Sequence, residues 1–377
     1  MSEYIPRLRE QLVDAAAREH AGQRRRVPVR PSRVALVVAV AAVAATFVLA
    51  VSAIEVADDK QPVGTLPSGM ALSYRVAPAP GEDGAALAER AGELLRARIA
   101  AAGIADAQVT VSGDRIGVDA DSADRAPIAA LAAPGVLGIY DWEASVLGPD
   151  GRPAPDDESV TGGPGAGQEA SVSRYEAVMR AAKAQGTQGA AMFWLVDDGT
   201  REVLAGPRSS RAALTGGAPA PEGARVAEVP GGVRVVQAER TGPGGWYALD
   251  DGAALGNADV ADARAARDPV TQDPAVVFDF TPAGQRRFSE LTREIARRGA
   301  DRQRPGEDAI RAAQHLGMVL DDRVVSVPFI NFQDAPDGID GRTGAQIQGS
   351  LSGQRAEQIA IMLNTGPMPV ALEPQSP

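Results

Sequence analysis

The sequence has no cysteine, which excludes disulfide frameworks, thiolate zinc sites, iron–sulfur clusters and cysteine nucleophiles together. Two histidines, His20 and His315, are all it carries, too few for a multi-histidine metal cage. Aromatic residues make up 4%, so the stacking platforms that hold single-stranded nucleic acid are lacking. A formal charge of -11 would repel a polyanion, and no nucleic-acid partner is expected. What is present is a chain of 377 residues, 44% hydrophobic, long enough to bury more than one core without covalent staples.

Charge is divided unevenly. Residues 1–33 hold eight arginines against four acids, whereas everything after residue 54 holds thirty basic against forty-five acidic residues. Between them Val34–Ile54 is free of charge, and at about 1.5 Å per residue it reaches roughly 30 Å, the thickness of a bilayer's hydrocarbon core. It predicts one transmembrane helix. Arg24, Arg25, Arg26, Arg30 and Arg33 precede it and Glu55, Asp58 and Asp59 follow, so residues 1–33 are expected in the cytoplasm and the acidic bulk outside the cell membrane. Val51-Ser52-Ala53 has the small residues of a signal-peptide cleavage site, but the apolar run exceeds the usual core of such a leader. Ile5, Leu8, Leu12, Val13 and Ala16 recur at helical spacing in Tyr4–Arg18, a pattern that suits a short helix on the inner leaflet or a solvated stub.

Beyond a polar linker at 55–69, alternation and helical spacing follow one another in the order strand (Ala71–Val76), helix (Leu87–Ala102), hairpin (Val109–Val118), helix (Ile128, Leu131) and strand (Val136–Trp142). This order is that of a split βαβ, ferredoxin-like unit. Prolines and glycines then dominate from Leu147 to Gln168 and again over 205–232, with a capped helix at Ser173–Ala182 and a strand at Ala191–Val196 between them. From Val233 a second unit begins: a strand at Ala275–Phe280, a helix opened by Thr281-Pro282 and closed at Gly299, a hairpin turning at Asp321-Asp322-Arg323, a strand at Ala345–Gln348 and a helix ending near Gly366. The fold class is α+β.

No catalytic constellation emerges, and no enzyme, metal or cofactor is expected. Gly165–Ala170 matches a dinucleotide fingerprint in letters but follows no strand. Gly349-Ser350-Leu351-Ser352-Gly353 puts Leu351 where a nucleophile elbow needs serine. His315, Asp321-Asp322 and Asp337–Gly341 fit ordinary strand and turn roles.

Five phrases in order carry a resemblance: AERAGELLRARIAAAGIADAQVTVSGDRIGVDAD, GNADVADARA, VVFDFTPAGQRRFSELT, MVLDDRVVSVPFIN and GAQIQGSLSGQRAEQIAIMLNTGPMPVAL. Across residues 87–372 they resemble the extracytoplasmic region of the SecD protein translocase family. The resemblance implies a ferredoxin-like base over 70–143, closed by a strand near Pro369–Leu372, a head over 244–353 and a return helix and strand over 354–372; residues 144–243, which match no part of that pattern, read as an insertion with loops, and 373–377 as a tail. It also implies partners: translocating or unfolded polypeptide, Sec translocon subunits, or a separate SecD/SecF-type membrane protein. A full SecD continues into further membrane helices that carry charged residues, whereas Val34–Ile54 has none, so no proton-conducting membrane domain is expected of these residues.

The apolar residues Phe280, Phe288, Phe329, Ile330 and Phe332 are candidates for gripping polypeptide, because consecutive apolar residues on a strand must place some on each face. The expected function is a membrane-anchored SecD-like exterior protein that binds translocating polypeptide and assists export. The alternative is a structural or sensory module that kept the fold without that role.

Overall fold

The structure is a computed structural model that describes residues 72–375 except 79–80, 162–170, 187–188, 239–244 and 350. The expected cytoplasmic segment, span and linker lie outside the described residues, as does the Gly165–Ala170 phrase. Among the described residues no helix is long and apolar enough to cross a membrane.

The chain opens with β1 (Leu72–Val76), α1 (Gly84–Ala101), β2 (Gln108–Ser112), β3 (Arg115–Asp119), α2 (Arg125–Leu131), β4 (Leu137–Asp141) and the short α3 (Trp142–Ser145). Next come α4 (Glu158–Thr161), α5 (Arg174–Lys183), β5 (Met192–Asp197), β6 (Glu202–Arg208), α6 (Arg211–Thr215) and β7 (Ala224–Val229). The remainder runs β8 (Val233–Ala238), β9 (Trp246–Asp250), β10 (Leu255–Gly256), β11 (Val260–Arg267), β12 (Pro274–Phe280), α7 (Pro282–Arg302) and α8 (Ala309–Ala312). It ends with β13 (Gln314–Leu320), β14 (Arg323–Ser326), β15 (Phe329–Ile330), β16 (Ala345–Gln348), α9 (Gly353–Thr365) and β17 (Leu372–Gln375). Helices and strands are mixed throughout, as an α+β chain requires.

In the base, β17, β1, β3 and β2 form an antiparallel sheet in that order. Asp83 caps α1 by accepting from Ala85 N and Ala86 N, and Ala91, Leu95 and Ile99 then bury one helical stripe with Ile116 and Val118. The expected closing strand at Val136–Trp142 does not join this sheet. Leu137, Ile139 and Tyr140 are all buried, and a strand apolar on both faces belongs in the interior of a larger sheet. β4 accordingly pairs with β10 and β13. The base's edge is filled by β17, later than the expected 369–372, in register from Ser73 with Gln375 to Val76 with Leu372. Its polar residues and Pro374 suit an edge.

The larger mixed sheet has the order β10, β4, β13, β14, β8, β9, with β15 on β13. Every residue of β13 is buried, and alternate residues serve different cores. Leu316, Met318 and Leu320 pack with Phe278, Phe288 and α9, while Val319 packs with Trp142, Tyr140 and Val236. A three-stranded antiparallel sheet of β11, β12 and β16 completes the first of these cores.

The middle region is folded rather than loop alone. β6, β5 and β7 form their own antiparallel sheet, and α5, capped by Ser173, packs Ala177, Val178 and Ala181 against Trp194, Val196 and Val229. The same cluster takes in Val235 and Ala248 from β8 and β9, so this sheet is continuous in packing with the large one.

The helix after Thr281 does not stop at Gly299 but runs to Arg302. Gly299 is interior because the Phe332 ring lies against it: a Cβ there would meet Phe332 Cδ1 at 2.8 Å and the Ala312 carbonyl at 3.2 Å. Gly299→Ala should therefore lower stability by about 1 kcal/mol, within a range of about 0–2 kcal/mol, since overpacking costs about 1–3 kcal/mol against about 1 kcal/mol gained in helix propensity. Urea midpoints of the two proteins check this, and Phe332→Leu should remove most of the difference.

Candidate functional site at the crossing between base and head

The chain leaves the base after α2 and returns after α9, so two segments without regular structure must cross side by side. Buried peptide groups there need partners from elsewhere. Arg98, on the last turns of α1, supplies five of the bonds. Its guanidinium is fully buried and donates to the carbonyls of Leu131 at 2.7 Å, Ala133 at 2.6 Å, Pro134 at 3.1 Å and Gly366 at 2.7 Å, and to Thr365 Oγ1 at 3.2 Å. Met368 N donates to the Pro134 carbonyl at 2.8 Å and joins the outgoing segment to the returning one.

Other elements finish the segment. Asn257 Nδ2 donates to the Gly135 carbonyl at 2.8 Å while its Oδ1 accepts from Leu137 N at 2.9 Å. Asp321 Oδ1 accepts from Val136 N at 2.8 Å, and Asp321 N donates back to the Val136 carbonyl at 3.0 Å. Gly135 has φ of 75°, and a Cβ on it would lie 2.8 Å from Arg98 Nη2, so both conformation and space require glycine.

The site is electrostatically tense. Burial pulls the Arg98 guanidinium down to about 10, with the Asp321 charge opposing the shift. Burial likewise raises Asp321 above the usual carboxylate range, against the bonds from Val136 and Gly135 and the charges of Arg355 and Arg98. Asp321 sits with Asp322 in the β13–β14 turn, both left-handed with φ of 50° and 62°, as a two-residue hairpin needs.

The structure does not bring the five apolar candidates to one surface. Phe280 and Phe288 stack with centroids 4.8 Å apart, and Phe280 meets Phe278 edge-on at 5.4 Å. Both are buried, as are Ile330 and Phe332. A side chain inside a core cannot grip a passing chain without opening that core, so contact narrows to Phe329, 39% exposed. The β15 alternation turns Ile330 inward and Phe329 outward.

Phe329 pairs across the ladder with His315, which is buried rather than at an open edge. His315 Nδ1 lies 2.6 Å from Glu143 Oε1, and its backbone N–H donates to Glu143 Oε2 at 2.9 Å. Beside this pair Arg298 forms a bidentate bridge to Asp141 with both contacts 2.6 Å and donates from Nε to Gln314 Oε1 at 2.6 Å. The Arg298 bonds hold α7 to β4 and β13, and the Glu143–His315 pair ties α3 to β13. Sequence reading missed it, since Glu143 and His315 stand 172 residues apart.

Comparison with known proteins bears on the same elements. Residues 234–370 match the family described as SecDF, P1 head subdomain, a stretch that includes Asn257, Asp321, Gly366 and Met368. The protein translocase subunit SecDF of Thermus thermophilus is 34% identical over 121 residues, 32% of this chain and 13% of that protein. SecD of Acetobacter pasteurianus is 29% identical over 143 residues, 38% and 23% of the two chains. SecD of Acidaminococcus fermentans is 30% identical over 125 residues, 33% and 24%. The matched stretches thus span less than a quarter of these relatives. Among solved structures, SecDF in a Super-membrane-facing form aligns over 81% of this chain and 29% of its own at 21% identity and a TM-score of 0.42. Another, described as a membrane component SecDF that enhances protein export, aligns over 81% and 98% at 20% identity and a TM-score of 0.41.

Arg98→Met should cost about 3 kcal/mol or more, because it leaves several buried carbonyls without donors; the urea midpoint reads it. Asp321 gives a pH signature. Its folded pKa is raised, so the protonated acid favours the folded state; that contribution is complete at acid pH and is lost as pH rises through the folded value. Asp321→Asn, which keeps an acceptor for Val136 N, should match or exceed wild-type stability at pH 7 and fall behind as pH drops through that window. Asp321→Ala should lose about 1–3 kcal/mol at pH 7, measured by the same denaturation series.

Proposed function

We propose, from the premise that the chain is a SecD-family protein whose membership is carried by residues 234–370, that it assists the export of polypeptide from the outer face of a cell membrane. Val34–Ile54 tethers it as one transmembrane helix, with residues 1–33 in the cytoplasm. The described residues form a ferredoxin-like base, in which β17, β1, β3 and β2 take the split-βαβ order, and a head joined to it at the Arg98 crossing. Translocating polypeptide is the substrate, and Sec translocon subunits or a separate SecD/SecF-type membrane protein are the partners. The role is non-enzymatic: the chain holds and guides, and any proton-driven work is supplied outside these 377 residues.

The match at residues 234–370 carries the reading. Phe329 supports it in detail. A half-exposed ring on a short strand, paired across the ladder with the buried His315, offers about 1 kcal/mol of apolar contact. That suits a chain which must be held briefly and released.

A photo-crosslinking phenylalanine analogue at position 329 of the full chain in membranes should capture exported polypeptide or a translocon subunit during export. The same analogue at Leu204, an exposed residue of the middle sheet, serves as control. Capture at 329 several-fold above 204 supports the assignment; equal capture at both, or none, overturns it.

A further inference from the structure

Edge strands leave peptide groups without partners, and native sheets close such edges. Several edges of this chain are closed. On β2 the Val109 carbonyl accepts from Arg96 Nη2 at 3.0 Å; on β11 Asn364 bonds both peptide groups of Ala263; β17 carries Pro374, which has no N–H to offer; and β9 is bridged by Val146 and Val172. Strand β15 has β13 as its one partner among the described residues, and the ladder fixes the direction of its remaining peptide groups.

β15 is antiparallel to β13, with His315 opposite Phe329 and Gln314 opposite Ile330. Leu316 N donates to the Pro328 carbonyl at 2.9 Å, one residue away from the His315–Phe329 pair on each strand, so that pair is of the type whose members do not bond each other. The far side of β13 agrees: His315 N points away from Phe329 and donates to Glu143 Oε2 at 2.9 Å, where β4 has given way to α3. Phe329 therefore turns both its N–H and its carbonyl away from β13, toward the open side of β15, and neither has a bond among the described residues. Pro328 and Phe329 are both exposed. A donor and an acceptor on one residue of an extended strand match a single complement, a residue of another extended backbone that returns both bonds.

We infer that polypeptide is taken at Phe329 in the extended conformation, as a strand added to the free edge of β15, with one of its residues exchanging two hydrogen bonds with Phe329 and setting its side chain beside the Phe329 ring. Strand addition rests on the placing of polypeptide at this ring and says how it is held. Peptide groups are common to every sequence, so recognition requires unfolded backbone and no particular motif. The ring adds a preference, because directly opposed side chains on one face of a ladder touch and an apolar or aromatic residue gains most there. Asn331 turns the chain directly after β15, its carbonyl accepting from Asp334 N and Ala335 N. The added segment is thus bonded at one residue, which makes the hold brief.

The test uses the solubilised full chain with its seven phenylalanines isotopically labelled at nitrogen, the Phe329 signal being assigned by its loss in Phe329→Leu. The probe is a heptapeptide alternating threonine with valine around a central fluorophenylalanine, titrated to millimolar concentration, and a counterpart in which esters replace the amides of the fluorophenylalanine and both valines. Esters delete N–H groups and keep every side chain. In the free protein the Phe329 amide proton should exchange rapidly with solvent, and saturating amide peptide should slow that exchange several-fold and move the proton downfield. The peptide's fluorine signal should report binding about five-fold weaker for the ester, the scale of one neutral hydrogen bond. Equal affinity of the two peptides, or unchanged Phe329 exchange at saturation, overturns strand addition while leaving a grip through the ring, which crosslinking from position 329 tests separately. Slow exchange in the free protein overturns it as well, since the edge would already be closed, and so does binding of neither peptide. Slowing of Phe329 exchange by raised protein concentration alone also overturns it, because the occupant would then be a second copy of the chain.

Discussion

A buried guanidinium that must find oxygen for its donors is the constraint around which the two units are joined. Arg98 has no carboxylate in hydrogen-bond contact; its bonds run to neutral carbonyls and one hydroxyl, which spread the charge without cancelling it. Burial therefore still depresses its pKa. The compensation is geometric. A single planar fork gathers the end of α2, the outgoing segment and the end of α9, groups that would otherwise be left as orphaned carbonyls at helix termini. Moving α9 relative to α1 would require breaking the bonds to Thr365 and Gly366 together.

The phrases that carried the family resemblance acquire physical reasons here. The second arginine of LLRAR, Arg98, is the fork itself; the asparagine of GNADV closes Gly135 and Leu137; the first aspartate of VLDDR closes Val136. In MLNTG, Asn364 pairs its amide with both backbone groups of Ala263, each at 2.7 Å, sealing the edge strand β11 against further pairing, and Gly366 accepts from Arg98. Most of these are polar residues with buried duties rather than surface features for a partner. The resemblance is thus largely a record of how two units are fastened together.

Local patterns were legible in the sequence where a single element decides the outcome. The hairpin at Asp321-Asp322 and the Ser173 and Thr281 caps depend on neighbours a few residues away, and each is where the pattern puts it, although the second hairpin strand, read as Val324–Phe329, ends at Ser326 and Phe329 opens a separate strand. What could not be read was partner choice. Val136–Trp142 is a strand by any local criterion, but only the apolar character of both its faces, met by β13 from 170 residues downstream, sends it to the large sheet. Gly299 is an ordinary helix-ending residue until Phe332 is placed against it. Of the apolar candidates, the sequence pattern identified the set with Phe329 and Ile330 together, and only the structure separates them, since nothing local distinguishes a ring packed in a core from one left at a surface. Arg98, with acceptors up to 268 residues away, was invisible for the same reason.

The two aspartates of the β13–β14 turn face different consequences. Asp321 bonds the crossing, whereas Asp322 holds Arg234, and Arg234 in turn reaches Tyr140 on β4, three residues beyond the Leu137 that Asn257 caps. The crossing and the large sheet are therefore linked through one two-residue turn and one strand. Contiguity of this kind transmits displacement only if the elements have more than one packed arrangement. At Asp321 burial disfavours the charge while the bond from Val136 N favours it, so the turn holds this carboxylate against a solvation cost.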